Sequence, residues 1–204
     1  MFMDPTFSGR EDLYQVVTSY GSDVWKATGV DQVARKLRSH ASQPGVYAYQ
    51  FLWGSIGETG ESELPDPWGF WLGAFHGLEI PFFLGNDEFF VALQYLLFTE
   101  ENRTGREALS ASMMQYAAEF ARTGDPNAPG SGLPEWAPWS NEAGSPKCIL
   151  FDVDEDQAID IRMSTSELTE EGVLERMVAE VPEPLLTEAV EYLEPWGSRF
   201  TDPE

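Results

Sequence analysis

The sequence contains a single cysteine, Cys148, and only three lysines, Lys26, Lys36 and Lys147. One cysteine excludes an internal disulfide and any metal cluster that several cysteines would hold. Because Cys148 lies in an apolar strand pattern, we expect a buried and chemically inert thiol. No apolar run reaches the ~18 residues that cross a bilayer, so no membrane span is expected. Residues 1–5 lack the basic and apolar stretches of a signal peptide, and the localisation stays open.

Positive charge is scarce throughout, since 12 Lys and Arg stand against 35 Asp and Glu and give a net charge of −23. A surface with this excess of negative charge repels nucleic acid and anionic lipid, and we expect neither as a partner. The acidic residues either keep the surface solvated or reflect adaptation to high salt, and composition leaves both interpretations open. Hydrophobic residues nevertheless make up 42% of the chain, which suffices for a sizeable core.

Apolar periodicity predicts most helices. Residues 11–20 should form a short helix. A second helix is indicated by apolar residues at helical spacing, namely Val30, Val33, Ala34 and Leu37. A longer amphipathic helix is indicated by Leu109, Met113, Tyr116, Ala117, Phe120 and Ala121. Gly124-Asp125-Pro126 should end that helix. Two acidic helices are expected near 167–180 and 184–193.

The strand signals lie in two regions. Val46–Trp53 (VYAYQFLW) is aromatic or β-branched at nearly every position, which predicts a central strand buried on both faces of a mostly parallel sheet. Residues 147–153 and 157–163 should form a hairpin around 154–156. Between the two regions, the segment 68–86 mixes bulky aromatics with glycines and is expected as a loop packed deep in the structure.

The chain has two histidines. His40 ends a polar helix face and is expected at the surface. His76 lies between Phe75 and Gly77 on a glycine-flanked loop after the predicted buried strand, which is where the histidine of a Ser…Asp/Glu…His triad lies in an α/β-hydrolase. An imidazole there can take a serine proton and return it to the leaving group. The alternative is a core histidine that hydrogen-bonds a backbone carbonyl.

Several ordered motifs surround His76. Residues 73–83 resemble the H-G-x-E-I-x-F segment of type-B carboxylesterases, the cholinesterase-like branch of the α/β-hydrolases, and residues 46–51 resemble the V-Y-x-Y-x-F strand of that family. Residues 120–127 resemble its F-A-x-T-G-D-P-N helix terminus, and 134–139 resemble its W-P-x-Y loop, with Ala137 and Trp139 as departures. The resemblance is strongest over 46–163, and it implies that residues 1–204 are the C-terminal portion of an α/β-hydrolase fold, with flanking helices and a C-terminal β-hairpin.

The same resemblance implies roles for individual residues. His76 matches the catalytic general base, whereas Gly77 and Glu79 match structural positions, with Glu79 expected to hydrogen-bond nearby backbone. Trp71 and Phe75 are candidates for an apolar wall beside a small-molecule carboxylic ester, or else they simply pack the core. No cofactor and no metal are implied.

Most of the catalytic machinery that the family uses is absent from this sequence. No G-x-S-x-G elbow occurs, and Ser55 and Ser62 have the wrong spacing for one. The acids Glu58, Glu61 and Glu63 are expected to be surface residues of a polar loop. The hypothesis is therefore an esterase in which this chain supplies His76, while the nucleophile and the acid lie in a missing N-terminal part of the same enzyme.

Two other interpretations remain. The chain could be a non-catalytic relative that acts as an interaction module, or an inactive truncated product. The chain alone is predicted to be inactive. Self-association is possible because an incomplete sheet would expose an unpaired edge. Asn102-Arg103-Thr104 also fits a glycosylation acceptor, a match too short to carry weight.

Overall fold

The structure is a computed structural model that describes residues 7–57, 59–89, 91 and 93–197. Its helices are α1 (Glu11–Lys26), α2 (Gln32–Arg38), α3 (Trp68–Trp71), α4 (Glu79–Leu84), α5 (Gln94–Leu97), α6 (Arg103–Thr123), α7 (Glu170–Glu180) and α8 (Leu185–Gly197). The strands are β1 (Ala48–Phe51), β2 (Cys148–Val153) and β3 (Ile159–Ser164). A π-helical turn, Ala27–Asp31, joins α1 to α2, and a short 3-10 turn covers Asp87–Phe89.

The chain divides into two compact units. Unit 1 comprises the described residues of Met1–Val46, Trp139–Lys147 and Thr165–Glu204, and unit 2 comprises those of Tyr47–Pro138 and Cys148–Ser164. Over the described residues, no helix combines the length and the apolar character needed to span a bilayer.

Unit 1 is helical. Its core forms where α1 packs against α7 and α8, and it contains Leu13, Val17, Val24, Val173, Met177, Ala189 and Leu193. Gly21 lets α1 approach α8 closely, since a Cβ there would lie 3.3 Å from a methyl group of Leu193. The Thr169 hydroxyl accepts a hydrogen bond from the Gly172 N–H and thereby caps the start of α7. The expected helix at 11–20 exists and extends to Lys26, and both acidic C-terminal helices are confirmed.

Unit 2 holds the sheet, in the order β1-β2-β3. Strand β1 runs parallel to β2, with Ala48 opposite Cys148, whereas β3 runs antiparallel to β2. The predicted hairpin is thus confirmed. The Cys148 side chain is buried in β2, as expected.

The prediction for Val46–Trp53 is wrong in two respects. The strand covers only Ala48–Phe51, and Tyr49 is 37% exposed, so the strand is not buried on both faces. Among the described residues, β1 pairs on one edge only, because its single neighbour is β2. The sheet is accordingly mixed, with one parallel and one antiparallel pair, rather than mostly parallel. Aromatic content indicates a strand, but burial depends on what packs against each face.

Helix α6 covers the sheet with Leu109, Met113 and Tyr116, all buried. Gly124 ends the helix in the left-handed conformation, with φ at 80°, as its motif predicts. Phe120 and Ala121 are exposed, although their spacing predicts core positions. The predicted second helix shows the same discrepancy, because Ala34 is buried while Val33 and Leu37 are exposed.

Two of the sequence motifs meet in unit 2. The Asn127 side chain accepts a hydrogen bond from the Trp136 N–H at 2.8 Å and donates one to the Trp136 carbonyl at 3.0 Å. The Trp136 indole N–H then donates to the Ala48 carbonyl in β1 at 3.1 Å. The loop after α6 is therefore attached to the first strand through one tryptophan side chain.

Candidate active site

His76 lies on a tight turn between α3 and α4. The Leu78 N–H donates to the Phe75 carbonyl at 3.0 Å and closes the turn. Gly77 occupies the third position with φ at +93°, a conformation that a type II turn requires and that glycine adopts without strain. This turn presents the His76 side chain at the surface, while Gly77 and Leu78 are buried beneath it.

The segment 68–86 is not the deep loop that its composition predicts. It contains α3 and α4, and only part of it is buried, including Leu78, Pro81 and Phe82. The alternating aromatics and glycines instead produce two short helices joined by the turn at His76. His40, the second histidine, is exposed at the end of α2, as expected.

Glu79 is placed directly below the turn. Its carboxylate accepts a hydrogen bond from the Gly77 N–H at 2.9 Å, which is the type of backbone contact expected from the sequence. Glu79 also acts on β1, because the pKa of Tyr49 is raised to about 12, first by burial and then by the negative charge of Glu79. The Glu79 carboxylate therefore hydrogen-bonds the turn and acts on the preceding strand through its charge.

The two candidate wall residues have different surroundings. Phe75 packs against the core of unit 2. Trp71 is half-buried, and its ring meets that of Phe70 edge-on, with the centroids 4.9 Å apart. A small cleft of about 320 Å³ in the same unit is lined by Ser62, Leu64 and Phe70, among others, and its lining includes none of His76, Trp71 and Phe75.

Ser62 and Glu63, upstream of His76, hydrogen-bond nearby backbone. The Ser62 hydroxyl donates to the Gly54 carbonyl at 2.8 Å and accepts from the Leu64 N–H at 3.1 Å. The Glu63 carboxylate accepts from the Gly54 N–H at 3.0 Å and is half-buried, so the expectation of a surface acid is wrong for Glu63. Glu61 is exposed as expected, and Glu58 lies outside the described residues.

Asn102, the acceptor of the possible glycosylation motif, is 2% exposed. Its amide nitrogen donates to the carbonyls of Glu63 and Leu97, at 2.9 and 2.8 Å. Its amide oxygen accepts from the Thr99 N–H at 3.1 Å and from the Arg106 side chain at 3.3 Å. A buried amide with both hydrogens engaged has no room for a glycan, so the motif is structural here.

The sequence does not predict the unusual pKa of one carboxyl group in unit 2, that of Asp152. The pKa of Asp152 is raised to about 6, mainly because the group is buried, and the charge of Glu63 raises it further. The Val153 N–H and Arg162 act in the opposite direction.

The family model for the carboxylesterase family matches residues 5–166. Human cocaine esterase is 45% identical over 67 residues, which is 33% of this chain and 10% of that protein. Rat bile salt-activated lipase is 26% identical over 137 residues, which is 67% of this chain and 20% of the lipase. Chicken acetylcholinesterase is 40% identical over 74 residues, or 36% of this chain and 8% of the enzyme.

The chain therefore belongs to the carboxylesterase family. The family implies the α/β-hydrolase fold, and the small mixed sheet with its helices is consistent with part of that fold. The regions that match span no more than 20% of the length of these curated relatives.

Proposed function

We propose that this chain takes part in the hydrolysis of carboxylic esters by a serine-hydrolase mechanism, with His76 as the general base. The observation that carries the proposal is the exposed position of His76 on its glycine turn, within the residues that match the family. An exposed imidazole that a short, hydrogen-bonded turn holds in place can meet a serine hydroxyl brought from outside the unit. Gly77 and Glu79 fix the turn and have no chemical step of their own.

The nucleophile and the triad acid belong, in this proposal, to an N-terminal part of the same enzyme. Two facts support this. No G-x-S-x-G occurs in the 204 residues. Ser62 and Glu63, which lie upstream of His76, already hydrogen-bond the backbone of Gly54 and Leu64.

Exposed surface on unit 2 also supports the proposal that an N-terminal part of the enzyme packs against this chain. The second edge of β1 pairs with no strand among the described residues, and parallel sheets are ordinarily covered and extended on both sides. Apolar side chains near α5 are strongly exposed, with Val91 at 77% and Tyr95 at 81%. In the proposal the N-terminal part covers these surfaces, and without it the same edge promotes self-association.

The proposed substrate class is a small-molecule carboxylic ester. The names of the relatives, cocaine esterase, bile salt-activated lipase and acetylcholinesterase, describe enzymes that act on such esters. Trp71 and Phe75 are the proposed apolar wall because both are half-buried on the elements next to His76. An aromatic wall of this kind stabilises an acyl or alcohol group by burial.

The test compares His76→Ala with His40→Ala. In a protein that carries this chain together with an upstream G-x-S-x-G segment, His76→Ala should abolish turnover of a short-chain p-nitrophenyl ester and labelling by a fluorophosphonate probe. His40→Ala is the matched control and should leave both unchanged. Full activity in the His76 variant would falsify the assignment of the general base.

A second test uses the 204-residue chain alone. A histidine without its serine and oxyanion hole gives at most roughly 10²–10⁴-fold catalysis, so the chain should neither label nor show burst kinetics. Stoichiometric labelling of the isolated chain would mean that a nucleophile lies within it. The two alternative functions, an interaction module and an inactive truncated product, predict a different result for the longer protein. Neither form turns over ester, so neither histidine substitution would change the measured turnover or labelling.

A further inference from the structure

The small cleft in unit 2 is bounded by the loop after β1 and by one aromatic side chain of α3. Its volume of about 320 Å³ is at the lower end of the range for small-molecule sites. Two of the side chains that line it are acidic, three are large and apolar, and none is basic. The lining residues are Ile56, Gly60, Glu61, Ser62, Leu64, Asp66 and Phe70.

Backbone contacts fix the shape of this cleft. The Gly57 N–H donates to the Glu61 carbonyl at 2.8 Å and closes the loop on itself. The Ser62 hydroxyl is held by its two hydrogen bonds to backbone. Ser62 also packs closely against α3, because a Cβ added at Gly69 would lie 2.6 Å from the Cβ of Ser62. The concave surface is therefore formed before a ligand arrives, which lowers the cost of binding.

The negative charge at the cleft has no internal partner. Glu61 and Asp66 are exposed, and within the described part of the chain neither carboxylate forms an ion pair or a side-chain hydrogen bond. Both border one concave surface, where charges of one sign beside apolar walls focus the electrostatic field. In a chain with a net charge of −23, this cleft should concentrate cations more strongly than open acidic surface does.

The apolar lining selects the kind of cation. Leu64 is 3% exposed, Ile56 is 45% exposed, and Phe70 is half-buried and offers its ring. A hard ion such as Ca²⁺ takes about six to eight oxygen ligands, whereas most of this lining is hydrocarbon and the Ser62 hydroxyl is already engaged. An ammonium group on an apolar body suits the cleft better, because carboxylates attract one end while burial and an aromatic ring stabilise the other.

We propose that this cleft binds a small organic ammonium ion. Glu61 and Asp66 contact the positive charge, and Leu64 and Phe70 contact the apolar body. The site needs neither His76 nor any group from outside the 204 residues. The isolated chain therefore tests it, whatever the outcome for the ester chemistry.

The probe is benzylammonium chloride, and benzyl alcohol is its uncharged analogue of similar shape. An NMR titration of the 204-residue chain at pH 7 and low salt measures weak affinity and also locates the site. Amide signals of Gly60 and Phe70 should shift, and the dissociation constant for benzylammonium should be at least ~10-fold lower than for benzyl alcohol. Added salt should reduce this difference by screening.

Neutral substitutions test the two carboxylates. Glu61→Gln/Asp66→Asn keeps the shape of the cleft and removes both charges, so it should weaken benzylammonium binding at least ~10-fold and leave benzyl alcohol unchanged. Both positions are exposed, so the variant should fold as the unaltered chain does. Glu155→Gln/Asp156→Asn is the matched control: it removes the same charge from the exposed turn between β2 and β3 and should leave binding unchanged.

Three results would overturn the proposal. Benzylammonium and benzyl alcohol could bind equally, which would leave the carboxylates without a part in recognition. The control variant could lose as much affinity as the cleft variant, which would mean general attraction to an acidic surface. Calcium chloride could shift the same signals at lower concentration than benzylammonium, which would make the cleft a metal site.

Discussion

The ammonium group of Lys147 lies 3.0 Å from the carboxylate of Glu167, although only 2% of the lysine side chain is exposed. The same group donates to the carbonyls of Ser140 and Glu142 and lies over the ring of Trp139, 5.2 Å from its centroid. These contacts hold the loop before β2 in place. Burial alone would raise the pKa of Glu167, but hydrogen bonds from Arg35 and Lys147 outweigh burial and lower the pKa below 4.5.

Lys147→Ala should lower the free energy of unfolding by about 3 kcal/mol, because it removes a buried ammonium group and leaves the half-buried Glu167 with one partner fewer and two carbonyls without a donor. Since Arg35 still pairs with Glu167, we expect the lower end of the range for broken buried pairs. Urea unfolding at neutral pH gives the value. Arg162→Ala is the control: its pair with Asp160 is half-exposed, and its loss should cost less than about 1 kcal/mol. Equal effects of the two substitutions would contradict a buried role for Lys147.

The lowered pKa of Glu167 makes the stability of the folded chain depend on pH. A carboxyl group whose pKa is lower in the folded state contributes stability above its unfolded value, here 4.5. That contribution is lost as the pH falls through the folded pKa. Glu167→Gln should therefore destabilise the chain at pH 7, and the difference from the unaltered chain should shrink on acidification below 4.5. A difference that stays constant across this range would show that charge has no part in it.

Asp152 should behave in the opposite way. Its pKa is raised from 3.8 to about 6, mainly by burial, so the folded state holds a proton that the unfolded state releases. Stability then decreases as the pH rises from about 4 to 6, and the cost remains constant above that. Asp152→Asn keeps the acceptor for the Val153 N–H and removes the charge, so it should stabilise the chain by about 2 kcal/mol at pH 7.

The measurement for Asp152 is the free energy of unfolding of both forms between pH 4 and 7. The gain from Asp152→Asn should vanish toward pH 4, where the native carboxyl is already protonated. A gain that is independent of pH would mean that packing, and not the buried charge, is responsible.

Asn102→Asp should cost about 2–3 kcal/mol, since it removes both hydrogen bonds that the amide donates and leaves the carbonyls of Leu97 and Glu63 without that donor. Thr104→Ala destroys the same glycosylation motif at an exposed position and should be nearly neutral. In a host that glycosylates asparagine, mass spectrometry of the folded chain should find no glycan at Asn102. A glycosylated, stably folded product would disprove the buried position.

Glu79→Ala should destabilise the turn at His76 by about 1–2 kcal/mol, because the Gly77 N–H loses its acceptor in a half-buried position. Glu79→Gln keeps an acceptor oxygen and should lose less. Amide hydrogen exchange at Gly77 reports the bond directly and should accelerate in the alanine variant alone. If the exchange rate at Gly77 is unchanged in both variants, Glu79 does not stabilise the turn.

Much of this architecture follows from local sequence. The hairpin of β2 and β3, the end of α6 at Gly124 and the two acidic helices are each determined by side-chain alternation, by a left-handed glycine or by helical periodicity. These signals act over a few residues, so they can be recognised without knowledge of the remaining chain. Membership of the carboxylesterase family is likewise evident from ordered motifs. The role of His76 as a base remains a prediction.

Burial is the property that local sequence does not determine. Tyr49, Val33 and Phe120 are apolar at positions that predict a core, yet they are exposed in this structure. Lys147 and Asn102 are polar and yet buried. Whether a face is covered depends on elements that are distant in sequence, and a buried charge or amide is tolerated only where those elements supply partners.

The sequence by itself determined the longer helices, the hairpin and the family to which they belong, because hydrophobic period and turn chemistry are local. It did not determine the short helices α3 and α4, whose segment predicts a loop. Only the tertiary structure decided that Ser62 and Glu63 brace Gly54, that Glu79 supports the turn beneath His76, and that Lys147 meets Glu167. Each of these contacts joins side chains to groups that a loop or another element brings within hydrogen-bond distance. Their energy depends on how much water that packing excludes, and no window of sequence contains this information.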